Sequence, residues 1–165
     1  MTYITDLKRV HHLIDEMFFD HQRALLHFEF ENALSLLEIY QSTLNRHMQD
    51  EELILLPVYS VRAAFPRAGA PKFFFDDHKK MRSFVELFLE KTNDIKRQPN
   101  IDKALLLLLD REAFYLRLCA HHDKRETDFL YPTLDVVLSD LEQHDLLERI
   151  SLKPKPQLSK CRYEQ

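Results

Sequence analysis

The chain has no tryptophan, a single glycine, and two cysteines set far apart. So little glycine argues against a strand-rich fold, whose tight turns call on residues free to take positive φ. Cys119 falls within a helical pattern and Cys161 in a polar tail, which gives no basis for a structural disulfide. A strong charge of one sign is also missing. The formal net charge is -4 and the basic residues are scattered, which excludes the electrostatic footprint of a nucleic-acid-binding protein. The longest leucine run, Leu105 to Leu109, is far too short to cross a bilayer, and the opening residues lack the apolar stretch of a signal peptide. A soluble, cytoplasmic protein with no nucleic-acid and no membrane partner is expected.

What is present suits one all-α domain. Of the 165 residues 45% are hydrophobic and 30% charged, and a domain of this length buries roughly 70% of the surface its unfolded chain exposes. Leu7, His11, Ile14, Phe18 and Leu25 recur at helical spacing and define a first helix to about Leu26. After a weakly marked break between His27 and Glu31, Ala33, Leu37, Tyr40, Leu44, His47, Glu51 and Ile54 mark a second, expected to end near Pro57. Pro66, Gly69 and Pro71 make residues 60 to 72 the main loop. Phe74, His78, Met81, Val85 and Phe88 share one face of a third helix, whose start the run Phe73 to Phe75 anchors. Beyond a turn from Lys96 to Asn100, with Asn100 as N-cap, a fourth helix carries Ala104, Leu108, Tyr115, Cys119, His122, Glu126 and Phe129 inward and should stop near Pro132. Residues 133 to about 151 form a shorter amphipathic helix. The expected architecture is therefore an antiparallel up-down four-helix bundle over residues 1 to 151 with a short extra C-terminal helix, then a polar tail over residues 152 to 165. Apolar residues exposed after Pro132 would allow a homodimer without requiring one.

Nine histidines are the unusual feature. The second helix reads His47-Met-Gln-Asp-Glu51 and ends Leu-Ile-Leu-Leu-Pro57; the fourth reads His122-Asp-Lys-Arg-Glu126 and ends Phe-Leu-Tyr-Pro132. A histidine and a glutamate four residues apart share one helix face and can reach one metal centre. The spacing alone is weak, since His12/Glu16, His27/Glu31 and His144/Glu148 repeat it. Position decides: His47, Glu51, His122 and Glu126 lie on apolar stripes, where an unpaired carboxylate costs several kcal/mol. His11 and His78 occupy equivalent places on the other two helices, although His12 or His21 could take the part of His11. Counting from the turn between the first and second helices puts His11 level with His47, whereas His78 and His122 come out about one turn apart. Four histidines and two glutamates fit two metal ions, and donors without thiolate suit iron, manganese or zinc. Tyr40 and Tyr115, about two turns before His47 and His122, and Cys119 read first as core residues.

Together, His11, His47-Met-Gln-Asp-Glu51-Glu, His78 and His122-Asp-Lys-Arg-Glu126, spread over residues 5 to 133, resemble the hemerythrin-like family, also called the HHE cation-binding domain. The resemblance implies a four-helix bundle with a non-haem di-iron centre, its two irons bridged by an oxygen atom and by Glu51 and Glu126. Oxygen-carrying hemerythrins have a fifth histidine four residues before the third-helix ligand, where this chain has Phe74, and an aspartate in place of Glu126. The likeness therefore runs more closely to hemerythrin-like proteins of oxygen or nitric oxide sensing and of iron-sulfur repair. It implies binding of a small ligand (oxygen, nitric oxide or peroxide) for sensing, scavenging or iron handling. The alternatives are a di-iron oxidase or peroxidase, an iron-sulfur cluster repair factor, and a zinc-stabilised interaction bundle.

Overall fold

The structure, a computed structural model, describes residues 3–153. Four long helices dominate it: α1 (Lys8–Leu26), α2 (Phe30–Asp50), α4 (Pro71–Asp94) and α5 (Ile101–Arg125). Three short ones complete it: α3 (Leu56–Arg62), α6 (Tyr131–Val137) and α7 (Asp140–Arg149). There is no strand among the described residues. Each long helix packs antiparallel to its neighbours. His11 near the start of α1 meets His47 near the end of α2, while His21 further along α1 reaches the carbonyl of Ala33 early in α2. His78 early in α4 faces His122 late in α5, and Phe88 later in α4 packs on Tyr115 earlier in α5. This is the helical bundle that the apolar periodicity predicts.

The middle of the bundle is an aromatic band. Phe18 packs against Tyr40 at 4.8 Å and Tyr115 at 5.3 Å between ring centroids, contacts that add about 0.5–1.5 kcal/mol each beyond the area they bury. The two tyrosine hydroxyls hydrogen-bond to each other at 2.5 Å, so neither is buried without a partner. At one end, the Asp135 carboxylate accepts from the backbone of Ile4 and Thr5 and pins the start of the chain to α6. Asp50 does the same for Ser151 and Leu152.

The turn between α1 and α2 shows why its sequence signal is faint. The amide of Glu29 donates to Ala24 and that of Phe28 to Leu25, and Phe28 itself sits at φ 59. That closure normally recruits glycine, and a phenylalanine in its place hides it. Asn100 does cap α5, its side chain accepting from the Lys103 amide.

Neither expected proline stop occurs. After Asp50 the helix widens into a π turn over Glu51–Leu55 and continues as α3 to Arg62. After Arg125 it widens over Glu126–Leu130 and continues as α6 to Val137. The amides of Leu56 and Tyr131 bond the carbonyls of Glu51 and Glu126, five residues back. Pro57 and Pro132 follow directly. Each lacks the N–H that an α register needs and would crowd the carbonyl four residues back, and the wide turn places the proline in the first turn of a new α segment, where it is tolerated. The amphipathic helix expected after Pro132 is thus two pieces, α6 and α7, parted at Ser139, whose capping box with Glu142 starts α7. Beyond Lys153 the expected polar tail, Cys161 included, lies outside the described residues.

Candidate metal centre

The two π turns begin at Glu51 and Glu126. Both carboxylates therefore sit where the helix backbone opens, facing the histidines of the opposite helices, and π turns recur at functional sites. All six expected residues come together and are buried: His11, His47, Glu51, His78, His122 and Glu126. Among the described residues His11 is the α1 histidine that joins them. His12 is exposed, and His21 is fully buried elsewhere, paired with Glu112 at 3.0 Å. The histidines of the three other His/Glu pairs, His12, His27 and His144, are exposed with their glutamates.

The histidines form two pairs. The Nε2 atoms of His11 and His47 lie 3.1 Å apart, and those of His78 and His122 also 3.1 Å. The predicted one-turn offset between His78 and His122 is absent: α5 begins at Ile101 as expected, but α4 is carried on past Asp94 by a 3-10 turn over Ile95–Arg97, which adds helical rise on the His78 side within the segment counted as loop. Each glutamate spans both pairs. Glu51 puts Oε1 3.5 Å from His47 Nε2 and Oε2 3.3 Å from His78 Nε2. Glu126 puts Oε2 2.9 Å from His11 Nε2 and Oε1 2.8 Å from His122 Nε2. The result is two overlapping donor sets sharing both glutamates, each set with its ligand atoms within 4.8 Å of one another.

Carboxylates stand behind three of the outward nitrogens, one of them in hydrogen-bond contact. His78 Nδ1 meets Glu52 at 2.8 Å, His122 Nδ1 lies 3.8 Å from Asp77, and His11 Nδ1 lies 3.8 Å from Asp123. Carboxylates behind imidazoles orient the ring and raise its basicity toward a metal. Glu52 also accepts from Arg82 at 2.9 Å. Although burial opposes its ionisation, His78 and Arg82 together hold its carboxyl down at about 2.

The electrostatics are those of a site that wants cations. Burial disfavours charging His11, yet Glu126 outweighs it and lifts the ring to about 9. Burial likewise opposes charge on His122, and Glu126 and Asp77 raise it well above the ordinary histidine range. Burial would raise the Glu126 carboxyl, but His122 and His11 hold it well below the carboxylate range. Protons do not satisfy the whole cluster. Glu51 Oε2 and Glu126 Oε1 meet imidazole nitrogens only as ion pairs, at 3.3 and 2.8 Å, in a geometry that makes no hydrogen bond, and His122 Nδ1 is buried with no hydrogen-bond partner; a bound cation would satisfy both carboxylate oxygens. Buried imidazole and carboxylate donors with orphaned oxygens fit metal ions, and could hold two.

Toward the bundle middle the cluster faces a cavity of about 10 Å³, room for one water-sized molecule. Tyr40 and Cys119 line it beside His11, His47 and His122. Both belong to the core as expected, and burial pushes the Cys119 thiol up to about 12. Phe74, at the place of the fifth histidine of oxygen carriers, is fully buried with its ring edge-on to His122, 6.4 Å between centroids.

One residue at the cluster escaped the sequence reading. Tyr131 donates its hydroxyl to Glu51 Oε1 at 2.5 Å and lies 3.1 Å from both Glu126 Oε2 and His11 Nε2. Five residues past Glu126, it would point away from that face in an α-helix, but the π turn inserts one residue and lets position five do the work of position four. The proline after it was the available signal.

No helix among the described residues is long and apolar enough to cross a membrane. No family model, no curated protein and no solved structure matches this chain.

Proposed function

We propose that the chain is a non-haem di-iron protein of the hemerythrin-like kind, whose centre binds oxygen, nitric oxide or peroxide in sensing, scavenging or iron handling. The observation that carries the reading is the placement of Glu51 and Glu126, each with one oxygen toward each histidine pair. A salt-bridge network needs no such sharing, whereas two metals bridged by carboxylates do. His11 and His47 would hold one ion, His78 and His122 the other, and donors without thiolate suit iron, with zinc and manganese as competitors. Bound iron supplies redox change and an open coordination position. Glu52 keeps the His78 imidazole in place, Asp77 and Asp123 set negative charge behind His122 and His11, and Phe74 and the aromatic band keep bulk water out. The cavity, about the size of one water molecule, leaves no room for an organic substrate.

Iron-loaded protein, reduced without oxygen and titrated with nitric oxide, oxygen and peroxide in turn, tests this. At least one is expected to give a saturable change in the visible spectrum that His122→Ala loses, while zinc-loaded protein stays silent. Sustained peroxide consumption would assign the centre to a peroxidase instead. Iron-loaded protein indifferent to all three ligands would sink the proposal and favour a structural metal bundle.

A further inference from the structure

The two halves of the cluster are not alike. Around the His11/His47 half, five polar atoms converge: both Nε2 atoms, Glu51 Oε1, Glu126 Oε2 and Tyr131 Oη. At most three protons are available to the five, since the carboxylates bring none, and Tyr131 has one O–H facing two acceptors. Around the His78/His122 half there is no phenol, and Glu51 Oε2 and Glu126 Oε1 meet only imidazole nitrogens, as ion pairs that make no hydrogen bond. The internal repeat makes the difference explicit. Five residues past Glu51, also at the end of a π turn, stands the fully buried Leu56, where five past Glu126 stands Tyr131.

We propose that Tyr131 is a ligand of the metal held by His11 and His47, so that one ion of the pair is phenolate-bound and the other is not. The proposal rests on the two-metal reading. The phenol is fully buried and within hydrogen-bond reach of three of that half's four other donor atoms. Coordination replaces its O–H bond with an oxygen–metal bond and releases the proton to solvent. Tyr131 approaches from the end of the bundle, beyond Glu126, and the small cavity lies on the opposite side, one turn inward of the histidines at Ile14, Leu44, Met81 and Cys119. A small ligand would therefore reach the centre from inside the bundle while the phenolate closes its outer side.

Oxidised, iron-loaded protein should show a visible phenolate-to-iron charge-transfer band, with phenolate modes in the resonance Raman spectrum excited in it. Tyr131→Phe should lose the band and keep its iron; Tyr40→Phe and Tyr115→Phe should retain both. If Tyr131→Phe does not fold, the Raman signature in the wild type and its survival in the other two variants still decide. Protein that binds two irons without the band, or a band lost from Tyr40→Phe or Tyr115→Phe, overturns the assignment and leaves the two-metal reading standing. Failure to take up iron removes both.

Discussion

Two buried histidine–glutamate sets behave differently because their partners differ. His21 is satisfied on both nitrogens, by the Ala33 carbonyl at 2.8 Å and Glu112 at 3.0 Å, and Gln22 completes Glu112. Removing one member of such a pair leaves a buried group unpaired, so Glu112→Leu should cost about 3–5 kcal/mol in denaturant unfolding, while His21→Leu with Glu112→Leu should recover most of that loss. Metal content should be the same in all three proteins. His47→Ala should do the reverse, shedding metal at a smaller cost to the metal-free fold, because the donors it leaves behind already carry unpaired atoms. The six site residues were legible in the sequence because they interrupt apolar stripes. Tyr131 was not, since its place on the site face depends on a backbone widening that side-chain periodicity does not encode.

The elements were legible to the extent that their ends carry local chemistry. Asn100 announced α5 through its cap, and the two prolines announced something, but the α rule read them as stops where the chain makes π turns. The α1–α2 turn was faint because Phe28 occupies a left-handed position at φ 59. Phe28→Gly should therefore raise the unfolding free energy by about 1 kcal/mol, the strain relieved by losing Cβ there outweighing the half-exposed ring contact with Phe30. At α7, Ser139 and Arg62 hold the Glu142 carboxyl down at about 2 from 4.5. A depressed carboxyl stabilises the fold above its unfolded value and loses that stabilisation as pH falls through its folded one. Amide exchange in Asp140–Arg149, taken relative to the intrinsic rate at each pH, should thus be constant above about pH 5 and accelerate between 4.5 and 2. Ser139→Ala should speed it at every pH, by the equivalent of about 1 kcal/mol.

For the whole molecule, the bundle and a bound metal would answer to different terms. A continuous apolar core from Ile4 to Ile150 and the aromatic band keep the chain folded without metal, whereas a centre that binds only the folded state adds stability by mass action. At free metal a hundredfold above its dissociation constant that is about 2.7 kcal/mol, so chelation should lower the midpoint of thermal unfolding without abolishing the transition. In the proposed function Glu51 and Glu126 bridge two ions. Anaerobic titration of metal-free protein with ferrous iron, free of any metal-binding tag, measures this most directly. Saturation at two irons per chain, falling in Glu51→Ala and Glu126→Ala through loss at both positions, is the predicted result. Saturation at one iron, or two irons that remain when both glutamates are gone, would contradict it.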